Sequence, residues 1–473
     1  MTDRLRQRMT HSLWAVLLLL AAGCGEDRSG EYYALIGTQS WIYETMQQEY
    51  LSYEDLPAIT DRKTYFKKPD EFLRGLLSSK DQKNGTYFSH VDSVAGTASL
   101  QLARSSAYPS FGFEGTLIRR SNGDYAIHVL YVQPDSPASQ AALKRGDWII
   151  AANQRKLSST GYEQYIGRPA EAYAFTLGQP NGEGFDTLAT VQMPAPTYVR
   201  QQNILTRQLL SVDGQKAAYY VYNGFGEDDA AQWKNEFQTL AAEGVGHIIL
   251  DLRYNTGGLV SAAQTLGSLL APAGAVGQPF VKMTYNALLN QTEVIPLTDE
   301  GIHLDYGNLY ILSSQNTASA SELLINCLRP YLQGRLFQVG EPTFGKNVAQ
   351  KLFTSTDCPG IELWLTTCYL SNAEDFGDYC SGGLPPDHAA SEDLREELTE
   401  FGNASDPLLG PVLTHLRTGT FPTDTLPDAE QTAARMAAQG RTVVYHPIGK
   451  RPKKAIYAPE YTISRHAPMK RQP

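Results

Sequence analysis

The chain has 473 residues, which is more than a single hydrophobic core usually holds and predicts two or three domains. Hydrophobic residues make up 42% of the chain and charged residues 19%, as in an ordinary globular protein. The formal net charge is -10 at pH 7. Because phosphate binding needs clustered Lys and Arg, this acidic balance argues against nucleic acid as a partner.

The first 24 residues have the pattern of a bacterial export signal. Three arginines precede an apolar run, Leu13 to Ala22, that is too short to span a bilayer as a helix. Small residues then lead into Cys24, and this arrangement resembles the bacterial lipobox. We therefore expect residues 1–23 to be removed and the Cys24 thiol to carry a lipid. This interpretation predicts an envelope protein anchored to the outer membrane, on its periplasmic or surface face. The alternative is an ordinary secretory signal with an unrelated cysteine.

Two regions precede the first predicted β-domain. Residues 24–40 are mostly polar, and we interpret them as a tether. Residues 41–108 are predicted to be largely helical, because Phe72, Leu73 and Leu76 recur at helical spacing. These apolar side chains are interpreted as core.

Residues 109–197 are predicted to form a small β-domain. The run from Tyr125 to Val132 is rich in β-branched and aromatic residues and is typical of a strand. Ser136-Pro137-Ala138 then opens a short helix, expected to run through Leu143, since proline is favoured near the first helical position. Another strand is predicted to begin at Trp148.

Residues 198–420 alternate predicted strands and helices. Three runs are typical of buried strands: Ala217 to Tyr222, His247 to Leu252 and Leu309 to Leu312. The segment from Ala230 to Glu243 is typical of a helix. The β-α-β order indicates a mostly parallel, covered sheet. The predicted fold class is therefore α/β multidomain, with residues 421–473 as a polar, loosely packed tail.

Four cysteines remain after Cys24 is assigned to the lipid. Cys327 lies inside an apolar helical pattern and is expected to be a buried thiol. Cys358 and Cys380 flank a strand-rich segment, and a disulfide between them is one pairing that an oxidising compartment allows. Because neither Cys-x-x-Cys nor His-Glu-x-x-His spacing occurs, we expect no metal site.

The first candidate for chemistry is Ser319. A predicted strand leads into a polar turn, and a helix begins near Ala320. The N–H groups at a helix start favour negative charge, which suits the oxyanion of an acyl-transfer reaction. The alternative is structural, because Ser319-x-x-Glu322 also satisfies the capping-box pattern.

The second candidate is Lys346, which ends the turn-rich segment Gly340 to Gly345. A lysine acts as a general base only when its amine is uncharged, and burial favours that form. Gln350 lies four residues further on and shares a face with Lys346 in either a strand or a helix, so it is placed to orient the amine. Taken alone, Lys346 fits a solvated surface residue better.

The third candidate segment, Asp251 to Gly258, follows a predicted buried strand and ends in paired glycines. Open α/β sheets place their sites at the carboxyl ends of strands, and glycine allows a backbone N–H to approach a ligand closely. Taken alone, an ordinary glycine turn explains this segment better.

Together these three segments resemble the C-terminal processing peptidases, also called tail-specific proteases, over about residues 109–390. The resemblance implies that Ser319 is the nucleophile, that Lys346 is its general base and that Gln350 orients the lysine. Ser321 is the alternative nucleophile.

The same resemblance assigns roles to backbone groups. It implies an oxyanion hole formed by the N–H groups of Gly257 and Ala320. The segment Gly383 to Asp387 is similar to the Gly-x-x-Pro-Asp turn found near the end of the core in this family.

Residues 109–197 resemble a PDZ domain of the bacterial protease type. In such domains a glycine-bearing loop binds the terminal carboxylate of a peptide, which adds as a strand to the sheet edge. The resemblance implies that this loop comprises Phe111, Gly112, Phe113, Glu114 and Gly115. The alternative is a structural β-domain with glycines in tight turns.

The implied function is that of a serine endopeptidase, without a cofactor, which cleaves unfolded or C-terminally exposed polypeptides and recognises their C-termini through the PDZ-like domain. Its expected partners are polypeptides, and the membrane through a lipid at Cys24. One alternative is a catalytically inactive, peptide- or ligand-binding lipoprotein of the same fold. Another is an anchored scaffold that acts through the PDZ-like domain alone.

Overall fold

The computed structural model describes residues 29–93, 109–181, 184–423, 441–446 and 454–457. The predicted signal peptide and Cys24 lie outside the described residues. Among the helices in these ranges, none combines the length and the apolarity that crossing a membrane requires.

The N-terminal region begins with a long helix. Its elements are α1 (Ser29–Glu49), α2 (Pro69–Arg74), β1 (Gln82–Lys83), β2 (Thr86–Tyr87) and β3 (His90–Ser93). Ile36 and Gln39 of α1 are buried, so the prediction of a tether at residues 24–40 is wrong from Ser29 onward. A helix needs only one apolar stripe to pack, and the polar residues of this segment therefore do not prevent it from docking.

The β-domain follows. Its elements are β4 (Phe113–Arg120), β5 (Tyr125–Val132), α3 (Pro137–Gln140), β6 (Trp148–Ala152), β7 (Arg155–Lys156), a π-helical turn (Glu163–Gly167), β8 (Tyr173–Asn181) and β9 (Gly184–Met193). The two predicted strands are confirmed. The helix ends at Gln140, earlier than predicted, since Ala142 has a left-handed backbone conformation with φ 59°.

The C-terminal core contains the remaining helices. Its elements are β10 (Ile204–Val212), β11 (Gln215–Tyr222), α4 (Asp229–Glu243), β12 (His247–Asp251), β13 (Gly257–Leu259), α5 (Val260–Leu270), β14 (Pro279–Tyr285), β15 (Thr292–Pro296), β16 (Leu309–Ser313), α6 (Ala320–Leu328), β17 (Leu336–Gly340), β18 (Val348–Thr354), β19 (Ile361–Ser371), β20 (His388–Ala389) and α7 (Leu409–Thr418).

The central sheet of the core has the strand order β10-β11-β12-β16-β17-β20, and all of its pairs except β10–β11 are parallel. Successive side chains of β11 point to opposite faces, so Tyr219 and Tyr220 enter two different hydrophobic clusters. Helices α4, α5 and α6 cover one face, and α7 covers the other. The predicted covered parallel sheet is confirmed.

The second sheet of the core has the order β13-β22-β18-β19-β14-β15, and β3 pairs with β19. Its strand β22 (Lys454–Tyr457) comes from the C-terminal segment, as does β21 (Arg441–Tyr445), which pairs with β4. The prediction that residues 421–473 form a loosely packed tail is therefore wrong for these two strands. Backbone hydrogen bonding to existing sheets holds them, and a search for apolar core residues does not detect that interaction.

The four described cysteines are free thiols. Cys327 is fully buried in α6, as predicted, and burial raises the pKa of its thiol. Cys358 is buried and Cys380 is exposed, and no disulfide joins them.

Candidate active site

Ser319 lies in the turn between β16 and α6, as the sequence predicts. Its backbone has φ 63° and ψ -111°, a conformation that non-glycine residues rarely adopt. Its side chain is fully buried, and although Ser319 and Glu322 have the capping-box arrangement, Ser319 Oγ has no hydrogen-bond partner among the described residues. A strained backbone and an unpartnered buried hydroxyl are costly for stability, and such features concentrate at functional sites. Ser319 is therefore more than a helix cap.

One carboxylate joins the serine turn to the lysine segment. Glu322 Oε2 accepts hydrogen bonds from the backbone N–H of Ser319 at 2.6 Å and from that of Lys346 at 2.8 Å. These two distances together limit the separation of the two backbone nitrogens to about 5.4 Å. The other oxygen, Oε1, accepts from the Thr343 hydroxyl at 2.6 Å and from the Gly345 N–H.

Glu322 is completely buried, and its environment acts on its charge in two ways. Burial raises the pKa of the Glu322 carboxyl, while the hydrogen bonds that it accepts oppose that rise. A carboxylate with four donors is well suited to hold two turns in a fixed relation. The Glu322 carboxylate is therefore the element that brings the two candidate catalytic segments together.

The predicted Gly383 to Asp387 turn supports the lysine segment from outside. Thr343 N–H donates to the carbonyl of Leu384, and Leu384 N–H donates to the Thr343 hydroxyl at 2.7 Å. Gly383 has φ 75°, and a Cβ added there would lie 1.9 Å from the Thr343 carbonyl oxygen. Only glycine fits this close approach of two backbones.

Lys346 is fully buried and not a solvated surface lysine. Its Nζ donates to Gln350 Oε1 at 2.7 Å and lies 4.9 Å from the centre of the Phe88 ring. The contact that the four-residue spacing predicts is therefore present. The Gln350 amide in turn donates to the Phe88 carbonyl, which fixes its orientation.

The N-terminal region supplies part of the lysine environment. Asp81 is buried, and its carboxylate accepts from the Thr366 hydroxyl at 2.6 Å and from the Tyr50 hydroxyl at 3.1 Å. Burial raises the pKa of the Asp81 carboxyl, whereas the hydrogen bonds that it accepts, and its proximity to Lys346, oppose that rise. Asp81 and Phe88 thus lie beside the Lys346 side chain.

The glycine turn packs against the serine turn through Asn255. The Asn255 carbonyl accepts from the Ala318 N–H at 3.1 Å and from the Ser321 hydroxyl at 3.2 Å. The alternative nucleophile Ser321 is thus hydrogen-bonded to a backbone carbonyl, in contrast to Ser319. This contact places the two turns side by side, as an oxyanion site between them would require.

The two predicted oxyanion donors differ in whether their N–H already donates a hydrogen bond. Ala320 is the first residue of α6, so its N–H is among those without a carbonyl partner in the helix. The Gly257 N–H donates to Asn255 Oδ1 at 2.9 Å, and Gly257 has φ 103°. Gly257 therefore binds an oxyanion only if this local hydrogen bond opens, and its role stays a prediction.

Arg253, in the same segment, is the centre of a buried cluster of charges. Its guanidinium contacts Asp251 at 2.7 Å, Asp406 at 2.8 Å and Glu392 at 2.7 Å. Arg145 of the β-domain also pairs with Glu392. Burial by itself would raise the pKa of Glu392, but the two arginines outweigh it and lower the pKa to about 2. The cluster connects the β-domain to the glycine turn.

A cavity of about 350 Å³ adjoins the serine turn. Its lining includes residues just before Ser319 and residues of the lysine segment, among them Gln315, Asn316 and Phe344. His446, from the C-terminal segment, also lines it. Its size is within the range of pockets that hold small ligands or side chains.

The residues predicted to form a loop that binds a peptide carboxylate, 111–115, begin the β-domain. Only Phe111 and Gly112 precede the sheet, because β4 begins at Phe113 and pairs with β5 from there on. Phe111 and Phe113 are buried in the aromatic core of this domain, and Glu114 accepts a hydrogen bond from Tyr162 at 2.8 Å. Gly112 has φ 77° and packs directly against Ser136. The side chains of the loop are therefore structural, and only its backbone groups are candidates for peptide binding.

Comparison with known proteins identifies the family. The sequence model described as Peptidase family S41 matches residues 216–390, and the one described as Peptidase S41 N-terminal domain matches residues 37–90. A solved Bacteroides fragilis structure titled as an S41 protease has 30% sequence identity and a TM-score of 0.69, covering 80% of this chain and 96% of that one. This chain belongs to peptidase family S41.

Two curated relatives are named carboxyl-terminal-processing proteases. The protein from Picosynechococcus sp. is 29% identical over 243 residues, which is 50% of this chain and 54% of the relative. The protein from Synechocystis sp. is 28% identical over 283 residues, which is 58% of this chain and 60% of the relative. The chain thus matches little more than half the length of these relatives.

Three contributors to the site are not predicted by the sequence patterns. Glu322, three residues after Ser319, fits a capping residue, and nothing in the sequence pairs it with Lys346. Asn255 and Asp81 were not singled out, because an asparagine in a turn and an aspartate in a polar stretch are ordinary. Asp81 also lies in the N-terminal region, where the sequence predicts only core packing and no site residue.

Proposed function

We propose that this protein is a serine endopeptidase that cleaves unfolded or C-terminally exposed polypeptides with Ser319 and Lys346. The observation that carries this proposal is the shared Glu322 oxygen, which accepts from the backbones of both residues in a fully buried setting. The unpartnered Ser319 hydroxyl and the buried Lys346 amine support it. The two curated relatives described above are named carboxyl-terminal-processing proteases.

In the proposed mechanism the uncharged Lys346 amine removes the proton from Ser319 Oγ as that oxygen attacks a peptide carbonyl carbon. The C–N bond then breaks, and the Lys346 ammonium gives the proton to the leaving amine. Water, deprotonated by the same amine, hydrolyses the resulting ester and restores Ser319. Gln350 holds the Lys346 amine in position between these steps.

The negative charge on the carbonyl oxygen needs donors that are already in place. The Ala320 N–H at the start of α6 is one, and the helix dipole strengthens it. The Gly257 N–H is the second, and it must first release Asn255 Oδ1. Substrate binding next to the glycine turn supplies a competing acceptor for that N–H.

The β-domain is proposed to act as a PDZ-like module for substrate C-termini. The supporting observations are Gly112 at positive φ, the helix that Pro137 opens, and β4, which is the outermost strand that residues 109–197 contribute to the sheet and which accepts β21 as an added strand. A peptide that takes this place on β4 would lie beside Phe111 and Gly112, which lead into the strand.

The lipid anchor at Cys24 is also a proposal, and it rests on the sequence pattern of the export signal. It predicts that the wild-type protein fractionates with membranes and that Cys24→Ser releases it. Retention of Cys24→Ser in the membrane fraction would contradict the anchor without bearing on the catalytic proposal.

The catalytic proposal is tested with a casein-like unfolded substrate. Wild type should cleave it, while Ser319→Ala and Lys346→Ala should each lose at least about a thousandfold in kcat/KM, since the nucleophile and its base act as a unit. Ser268→Ala and Lys282→Ala are matched controls outside the site and should retain activity. If Ser319→Ala cleaved the substrate at the wild-type rate, Ser319 would not be the nucleophile. If the wild-type protein bound the substrate without cleaving it, the result would favour an inactive binding protein.

A further inference from the structure

The C-terminal segment extends the β-domain in the manner of a bound peptide. Strand β21 runs antiparallel to β4, with Arg441 opposite Arg120 and Tyr445 opposite Leu117. In this direction the segment advances along β4 toward the loop that begins at Phe111. A PDZ-type ligand would add to the same edge and would run the same way.

The described side chains of strand β21 bury little apolar surface. Val443 and Val444 are 38% and 44% exposed, so they bury little apolar surface. The Arg441 guanidinium donates to the Arg395 carbonyl and lies 5.7 Å from the centre of the Trp148 ring. Backbone pairing with β4 is a principal attachment of β21, and such pairing tolerates exchange for another sequence, as a peptide-binding edge requires.

The next described residue brings the segment to the candidate active site. His446 Nε2 lies 3.0 Å from Asn316 Nδ2, three residues before Ser319. His446 also lines the 350 Å³ cavity beside the serine turn. The segment thus reaches from the β-domain into the space that a polypeptide substrate would enter.

Strand β22 then lies between two elements that carry predicted site residues. On one side it pairs in parallel with β13, where Lys454 is opposite Gly257. On the other side it pairs in parallel with β18, where Ile456 is opposite Gln350. The described residues of the second sheet show no direct pairing between β13 and β18, so β22 fills the slot that separates them.

We propose that the two described strands of the C-terminal segment, β21 and β22, are a tethered ligand of this protein's own peptide route, with β21 bound along β4 and β22 in the slot between β13 and β18. The inference rests on the proposed function, because it identifies the route with the path of the substrate. An extended polypeptide of another protein enters the route only when this segment leaves it. Each molecule therefore carries one copy of a segment that competes with polypeptide substrates for this route.

The tether makes the competition strong even if the intrinsic affinity is low. A linked segment acts at an effective concentration of about 1 mM, so an intrinsic dissociation constant of about 0.1 mM would weaken a competing peptide about tenfold. The expected effect of detaching the segment is therefore a roughly tenfold gain in apparent affinity for an extended peptide.

The test uses full-length protein with the Ser319→Ala change, so that binding is measured without chemistry. The added variant is Val443→Pro with Ala455→Pro, because proline removes a backbone donor from each strand. The matched control is Val443→Ala with Ala455→Ser, which keeps both amides. The probe is a fluorescent synthetic peptide with the sequence of residues 441–457, followed by anisotropy. We expect about tenfold tighter binding to the proline variant than to the control. Equal affinity in two folded proteins would overturn the proposal.

A second measurement does not depend on the proline variant folding. Hydrogen exchange in the Ser319→Ala protein should become faster at residues 441–446 and 454–457 when the unlabelled synthetic peptide is added to saturation. Unchanged exchange there, with the peptide bound, would mean that both strands are permanent parts of their sheets. Neither readout involves peptide cleavage, so a failure of the proposed peptidase activity remains distinguishable from a failure of this inference.

Discussion

Replacing Glu322 by glutamine tests whether one carboxylate assembles the active site. The carboxylate accepts four hydrogen bonds, two at each oxygen, from the serine turn and the lysine segment. In Glu322→Gln one of these oxygens becomes an NH2 group, which is a donor. Two of the four hydrogen bonds are therefore lost in either orientation of the amide.

The size of the effect follows from the number and type of these bonds. A hydrogen bond to a charged group contributes about 1.5–3 kcal/mol, so two of them amount to about 3–6 kcal/mol. If about 3 kcal/mol of this loss raises the activation barrier, because Ser319 and Lys346 are misplaced, kcat/KM falls by more than about a hundredfold. The rest of the lost hydrogen-bond energy should lower the free energy of unfolding of the variant.

The assay compares initial rates of cleavage of a casein-like substrate with unfolding in urea for the same variants. Glu362→Gln is the matched control, since Glu362 is also a buried glutamate but lies on β19, outside the contacts described for the site. A Glu322→Gln protein with a kcat/KM within about threefold of wild type and the same urea midpoint would refute the reasoning. It would mean that the contacts of Glu322 are incidental to catalysis.

Three further outcomes are expected. Gly258→Ala should abolish most activity, because the new Cβ would lie 2.1 Å from the Phe225 carbonyl oxygen at φ +153° and would displace the glycine turn; full casein cleavage would contradict this. Arg145→Met leaves Glu392 buried with one cation fewer and should cost roughly 3 kcal/mol in urea unfolding, so an unchanged unfolding free energy would argue against the cluster as a link between domains. Burial lowers the pKa of His128 from 6.5 to about 4, so the stability that the neutral ring provides is present above pH 6.5 and is lost as the pH falls toward 4. The loss should reach about 3 kcal/mol in that window and be absent in His128→Asn, and identical pH profiles of the two proteins would be inconsistent with it.

Local patterns in the sequence were sufficient for most secondary structure. The buried strands at residues 217–222, 247–252 and 309–312 are recognisable because each is a mostly apolar run without Gly or Pro, and the helix that follows Ser319 begins at Ala320 as expected. Such patterns depend on neighbours within a few residues, which one sequence contains completely.

The sequence alone also indicated the three candidate segments, although none was convincing by itself. Ser319 fitted a helix cap, and Lys346 fitted a surface residue. Their resemblance to one peptidase family decided between these interpretations. The buried state of Lys346 and its contact with Gln350 then required the tertiary structure, because residues of the distant N-terminal region enclose the amine.

Residue types and their order along the chain determined the family, the strand–helix pattern and the identity of the candidate dyad. Tertiary structure alone decided that Glu322 joins the two candidate segments, that Asp81 lies near Lys346, and that the C-terminal segment adds strands to two sheets. The reason is physical: these contacts are hydrogen bonds and charge interactions between residues tens to hundreds of positions apart. Such contacts leave no periodicity in the sequence, since any polar residue or backbone amide can make them once the fold brings it close.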